Sequence, residues 1–535
     1  KVMRFVLREL YLRRLGRRNG AVYRRHFTED GINTRTWVRV GDITDFIHDC
    51  LDSMGGFNII GVVWKHTRVI DNCAAYLKGC RHPWFPEITP RRGLYSFRNG
   101  ILSVEEDPVR FWQWGDDELP PGLVACKYFD QEFDPEWATC DNPYDIPTPA
   151  ADKVVRYQLD TKVKANPDPE ELAACKNDEE RAELTKRSHE EEVSEVLEWI
   201  YALIGRLQHP VRKHDNWEVL LTVIGRAGTG KSTLMEAIMN MYDKDDVRQL
   251  SGNADQFSIA SLVGGLLWMC TEMSDKVRIP QMQLQQMVTG EAMAVRPIHE
   301  KWIHIPKWES PGVIGGNVLP PWADNQGSLS RRLLVLTFGR AIANAEKDPR
   351  LKDKLSREMG AFICKTARYY FQAVQEFGNY ILWADCPVKD EEGNPMLDEE
   401  GKQIRVPVLP PYFHEQSAAV KRELELVLRQ RRVPEDGAVT ARVAGEVVPK
   451  DGEAVEPFLA RGGSYVVKYE KVPALFSDAR AAGLASVWAD VADALVAPAT
   501  LHLYRSGPAG VALAPHTDTG DVLVLQIDGR KDWDV

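Results

Sequence analysis

Two hydrophobic periods alternate along this chain. Between positions 219 and 224 the run "VLLTVI" is apolar apart from Thr222, the pattern of a strand covered on both faces in a parallel sheet. After a glycine-rich stretch it gives way to "STLMEAIMNMYD", beginning at Ser232, whose apolar positions recur with helical spacing. "GGLLWMCTE" (264–272), "PGVIGGNVLPPW" (311–322) and the end of "SLSRRLLVLTF" (328–338) read as three further apolar strands. Strands separated by helical stretches predict an α/β fold.

The flanks of this region differ in pattern. "KVMRFVLRELYLRRLGRRNGAVYRR" (1–25) is basic on a partly helical apolar pattern, and "DPRLKDKLSREMGAFICKTARYYFQ" (348–372) and "LPPYFHEQSAAVKRELE" (409–425) read as helical. Residues 165–195 are densely charged, suiting an exposed linker or helix. Turn signals at Gly393-Asn394-Pro395 and Gly401 predict a surface hairpin over 388–405. From about 431 the composition shifts to Ala, Val, Gly, Arg and Asp. The expected division is a mixed α/β N-terminal domain (1–160), a charged linker or helix (161–195), a core of alternating strands and helices (196–345), a helical part (346–430) and a β-rich segment (431–535), with no internal repeat.

With 535 residues, 44% of them apolar, the chain has enough for roughly three ordinary cores. No apolar run approaches the ~20 residues of a membrane span, and no signal peptide is visible, so a soluble intracellular protein with no membrane partner is expected. The nine cysteines form no C-x-x-C pair and are expected to be reduced and mostly buried. A net charge of −11 does not advertise nucleic-acid binding, although the first 25 residues run the other way. A solvated surface helix explains that basic stretch as well as a DNA contact does. The chain starts at Lys1 and stops at Val535 within a strand pattern, as expected of a fragment.

The stretch "VIGRAGTGKST" (223–233) carries the clearest chemistry. Gly225 to Ser232 fits G-x-x-x-x-G-K-[ST], in which glycines let consecutive backbone N–H groups turn inward around a phosphate. Gly225, Ala227, Gly228, Thr229, Gly230, Lys231, Ser232 and Thr233 are the expected ATP-binding residues. Lys231 would reach the β- and γ-phosphates and Ser232 would ligate Mg²⁺, with the following helix directing its N-terminus at the anion. Glu272, ending the second strand, is placed to hold the Mg²⁺ shell or polarise the attacking water; capping the next loop is its competing role. Asn317 ends the third strand as a neutral sensor of the γ-phosphate. Arg331 and Arg332 precede the fourth strand, where a guanidinium suits a finger reaching a neighbouring subunit, or a plain salt bridge.

This ordered series resembles the superfamily 3 helicases, and among them the primase-helicase ATPases of poxviruses, other large DNA viruses and phages, over roughly residues 50–430. "RRGLYSFRNGILSVEEDP" (91–108) is similar to that family's N-terminal domain. "LQQMVTGEAMAVRPIHEKWIHI" (284–305) is similar to its helix and channel hairpin, which would offer Arg296, His299 and Lys301 to a DNA backbone and Trp302 to a base. The family usually ends its second strand in paired acids; here Thr271 precedes Glu272, with Asp275 a less well placed substitute. The resemblance implies an AAA+-like core, a ring oligomer, usually a hexamer, and ATP-driven movement on single-stranded or forked DNA in replication. A primase and other replication proteins are the implied partners, and the nucleus or a cytoplasmic viral replication site the implied location. No primase carboxylate motif is present in the chain.

The last hundred residues carry a second pattern. His516-x-Asp518 at a strand start has the arrangement that supplies two of the three ligands of a 2-His-1-carboxylate Fe(II) site, a pattern that by itself also arises by chance. With "GGSYVVKYEKVP" (462–473) before it and "VLQIDGRKDW" after it, the segment resembles the start of a JmjC-domain ribosomal oxygenase, a cupin-fold double-stranded β-helix. Lys531 then matches the family's 2-oxoglutarate-binding lysine, and His502 stands where the family usually has Asn. The third iron ligand would lie beyond Val535, so no oxygenase activity is expected of this segment alone. The main expectation is an ATP-dependent DNA helicase with ATP and Mg²⁺. The alternatives are an Fe(II)/2-oxoglutarate protein hydroxylase carrying an unrelated ATPase region, and an ATPase that remodels protein.

Overall fold

A computed structural model describes residues 2–53, 67–250, 258–273, 279–296, 302–319, 322, 328–388, 395–398, 401–431, 440–443, 446–449, 465–469 and 503–506. The chain forms two compact units, 1–422 and 423–535.

The basic N-terminal stretch is a helix followed by strands. Helix α1 (Val2–Leu12) buries Val6, Leu7 and Leu10 and leaves Arg4 and Arg8 outward of that stripe. Strands β1 (Leu15–Arg18), β2 (Ala21–Phe27) and β3 (Asn33–Asp42) form an antiparallel sheet, backed by α2 (Ile43–Ser53) and α3 (Thr67–Gly79) in a small core around Phe46, Ile47 and Leu77. A second sheet combines β4 (Arg91–Phe97), β5 (Gly100–Ser103), β6 (Arg110–Gln113) and β7 (Ala125–Phe129) in the order β6-β5-β4-β7.

A run of helices leads into the central sheet. After the single turn α4 (Glu136–Thr139), α5 (Pro149–Leu159) starts with proline at its first position, and Glu358 accepts from the Ala150 and Ala151 N–H groups of its first turn. The short α6 (Pro169–Ala174) precedes α7 (Asp178–Arg206). Asn177 caps α7 by accepting from the Glu180 N–H at 2.7 Å, and Asp178, Glu179 and Glu180 crowd the positive helix end. The charged segment of the sequence is thus the exposed first half of a long helix, whose second half buries Val196, Ile200 and Leu203.

The central sheet is parallel, in the order β14-β8-β13-β10-β9: β8 (Leu220–Gly225), β9 (Val247–Gln249), β10 (Leu267–Met273), β13 (Gly312–Gly316) and β14 (Leu333–Phe338). All four apolar strands expected from the sequence are present. Helix α8 (Lys231–Met239) follows β8, and α9 (Gln281–Thr289) leads to the hairpin β11 (Met293–Val295) and β12 (Ile303–Ile305). Helices α10 (Leu351–Arg357) and α11 (Met359–Phe377) close the core, α11 packing along α7. The expected surface hairpin appears as β15 (Asp385–Pro387) paired with β16 (Arg405–Pro407), before α12 (Pro411–Arg431).

One hydrophobic core runs from Tyr95 to Phe413 and includes one face of the central sheet, through Leu221, Val223, Met269, Val313, Leu334 and Leu336. Beneath it, Arg206 donates to Asp215 at 2.9 Å and to the carbonyls of Trp217 and Val219, the entry to β8; Tyr370 also donates to Asp215, at 2.6 Å. Among the described residues no helix is long and apolar enough to cross a membrane. Seven cysteines are buried and Cys140 and Cys175 are partly buried. In the second unit, β17 (Thr440–Val443), β18 (Glu446–Pro449), β19 (Tyr465–Tyr469) and β20 (Leu503–Ser506) form an antiparallel sheet in the order β18-β17-β19-β20.

Candidate functional site

A parallel sheet gathers the carboxyl ends of its strands at one edge, and in open α/β sheets that edge is where ligands bind. Here it collects the loop 225–230, Glu272 and Asn317. Ile224 pairs with Gly316, so Asn317 continues level with Gly225 on the neighbouring strand. On β10 the register slips between Cys270 and Met273, which pair with Ile314 and Gly316 of β13. Thr271 and Glu272 therefore oppose a single residue, Gly315. Such a bulge re-aims a side chain. Both Glu272 and Asn317 are exposed.

The loop is shaped by its glycines and by its neighbours. A Cβ on Gly225 would lie 1.8 Å from the Phe338 carbonyl oxygen of β14, so any side chain there would force the two strands apart. Gly228 (φ +75°) and Gly230 (φ +94°) hold the left-handed turns that bring the chain round to α8. The loop is pinned from outside: the Ile342 N–H donates to the Gly228 carbonyl at 3.1 Å. Gln158, fully buried on α5, donates to the carbonyls of Thr229 and Arg340, both at 2.9 Å, and accepts from the Arg340 N–H at 2.9 Å. Sequence reading did not find Gln158, because its partners lie 71 and 182 positions away and no local pattern marks them.

Helix α8 starts at Gly230 with no side-chain cap, leaving first-turn N–H groups at the mouth of the loop. Lys231 folds its ammonium into the loop, donating to the carbonyls of Gly225 at 2.6 Å and Arg226 at 2.5 Å, and burial pulls its pKa below the ordinary lysine value. Ala227, Gly228 and Ser232 are exposed, Thr229 is buried and donates to the Arg226 carbonyl, and Thr233 bonds through its N–H to Gly230. Uncapped helix-start N–H groups, an ammonium and a hydroxyl beside a glycine-rich loop suit an oxyanion and its metal counter-ion.

The two arginines before β14 behave differently. Leu333 pairs with Leu220 and Phe338 with Gly225, so Arg331 and Arg332 stand at the amino edge of the sheet. At roughly 3.3 Å per residue, β14 separates them from the loop by about 20 Å. Arg332 is held within the chain by the Ser328 carbonyl and by Glu218 at 3.3 Å. Arg331 is exposed. Gln285 of α9 donates to the Ser328 hydroxyl at 3.2 Å, joining the hairpin's helix to this turn.

The hairpin β11–β12 is anchored at its base by Trp308, which is buried and donates to the Ser310 carbonyl at 2.7 Å. Arg296 is exposed and Trp302 is 65% exposed, flanking the tip. His299 and Lys301 lie outside the described residues, as do Asp275, His502, His516, Asp518 and Lys531.

Residues 223–332, which span the loop, Glu272, Asn317 and both arginines, match a family of unknown function, DUF5906. Two apo A-form structures of the NrS-1 C-terminal region are similar at 12% and 13% identity. They cover 54% and 55% of this chain and 73% of each of those chains, with a TM-score of 0.27 for both. A likeness of that size carries no argument about fold or activity.

Proposed function

We propose that the 1–422 unit hydrolyses ATP and uses it to move on single-stranded DNA, as an oligomer whose sites are completed between subunits. The observation that carries this reading is the shared edge: the parallel register brings the loop 225–230, Glu272 and Asn317 together, although they are distant in sequence. Loop N–H groups and Lys231 take the β- and γ-phosphates. Ser232 and Glu272 hold Mg²⁺, which when bound neutralises charge on the phosphate oxygens, and Glu272 polarises the attacking water. Asn317 orients that water.

The amino-edge position of Arg331 supports a role in a neighbouring subunit, since about 20 Å of strand lies between it and its own loop. Arg332, tied to Glu218, then acts as a positioning residue for that turn. Arg296 and Trp302, with His299 and Lys301, would grip the strand by phosphate contact and base stacking.

The test is ATP hydrolysis by the full chain with and without single-stranded DNA, beside Lys231→Ala. A Lys231-dependent rate raised by DNA is expected. A Lys231-dependent rate indifferent to DNA would replace the DNA motor with an ATPase that acts on protein.

A further inference from the structure

The triphosphate site proposed above has a direction. Glu272 on β10 and Asn317 just past β13, the groups suited to the γ-phosphate end, belong to strands on one side of β8 in the sheet order. The α-phosphate and the nucleoside must therefore leave the loop on the opposite side, toward β14. On that side the chain leaves β14 as the segment 339–346, already bonded to the loop through Ile342 and Gly228.

That segment supplies one half of a planar pair, Arg340, and α5 supplies the other, Tyr157. The Arg340 guanidinium lies 3.9 Å from the centroid of the Tyr157 ring. Glu346 holds both members, accepting from the Tyr157 hydroxyl at 2.6 Å and pairing with Arg340 at 3.7 Å. Arg340 and Glu346 keep 40% and 45% of their side-chain surface exposed. The residue next to Tyr157 is the buried Gln158 that clamps Thr229 of the loop to the Arg340 backbone, so loop and planar pair are held in one fixed relation. Guanidinium and aromatic planes are the two protein surfaces on which a heteroaromatic base stacks.

We infer that Tyr157 and Arg340 form the base-binding subsite of this nucleotide site, receiving the purine at the far end of the triphosphate. This rests on the triphosphate reading of 225–232. A rival account makes the pair only a latch that fastens the segment 339–346, and it predicts no preference among ligands that share the same phosphates.

The experiment measures binding of Mg²⁺-ATP and of Mg²⁺ with inorganic tripolyphosphate to the full chain, in wild type, Tyr157→Leu and Arg340→Gln, each checked for folding by thermal melt. Wild type should prefer ATP to tripolyphosphate. Each substitution should weaken ATP about tenfold, the scale of a lost stacking contact, and leave tripolyphosphate unchanged. Tyr157→Phe, which keeps the ring and loses the bond to Glu346, should retain most of the ATP preference and covers the case in which the leucine variant does not fold. If wild type binds both ligands equally, or if the variants weaken both together or neither, the subsite is overturned and the pair is a latch. If wild type binds neither ligand, the triphosphate reading itself fails.

Discussion

The carboxyl edge of the central sheet leaves polar groups to water, whereas the amino edge ties them down. At the carboxyl edge α8 begins without a side-chain cap, and Ser232, Glu272 and Asn317 are exposed. At the amino edge Asp215, nearly inaccessible, accepts from Arg206, Tyr370 and the Trp217 N–H, while Arg332 is paired with Glu218. An exposed polar group loses little without a protein partner, so it is free to serve a ligand. A buried one must be satisfied at home. The difference predicts that substitutions at the first edge change chemistry and substitutions at the second change stability, with Arg331 the exception that exports chemistry from the amino edge.

That exception should give the largest effect. Arg331→Ala should lower the hydrolytic rate about 10³-fold, the lower range for an arginine finger, without shifting the thermal midpoint. Mixing it with Lys231→Ala should restore activity, because a mixed oligomer contains interfaces with an intact loop on one side and an intact arginine on the other. Unchanged hydrolysis by the single variant, or no recovery in the mixture, would sink the shared-site reading.

Asp215→Ala probes the opposite side of the comparison. It leaves the Arg206 guanidinium buried without its carboxylate, a loss of about 3–5 kcal/mol on removing one partner of a buried ion pair. Denaturant unfolding measures it, and the folded fraction should keep its nucleotide affinity. A normal unfolding midpoint would show that the amino edge is less dependent on this network than its geometry indicates.

Gln158→Ala should fall between the two classes. Removing its amide strips partners from two carbonyls and one N–H group, costing about 1–3 kcal/mol, and also loosens the loop, so unfolding and ATP affinity should move together. The smallest effect is expected at the ion pair between Lys352 of α10 and Glu236 of α8. Its lysine is 68% exposed, and Lys352→Ala should change stability by less than about 1 kcal/mol and leave hydrolysis alone.

The legible parts of this molecule are the local ones. A run apolar but for Thr222, three glycines in a short span and a helical repeat after them suffice to place β8, the loop and α8, because each depends on residues a few positions apart. The same holds for the apolar runs of β10, β13 and β14 and for the helix and hairpin that carry Arg296 and Trp302. The bulge at Thr271 and Glu272 was not legible, since it arises from how β10 meets β13 and not from β10 alone. Nor was the distinction between Arg331 and Arg332, adjacent and chemically identical in the sequence.

Hydrophobic period and glycine conformation are properties of short segments, so the sequence by itself determined the strand–loop–helix, the order of the parallel strands' apolar runs and the residue types of the loop. The tertiary structure alone decided which arginine is tied to Glu218 and which is exposed, that Gln158 clamps the loop, and that Tyr157 meets Arg340 beyond β14. These are pairings of polar groups across long stretches of chain. Their partners are chosen by where packing of the apolar faces leaves each donor and acceptor, and packing is settled only when the whole core closes.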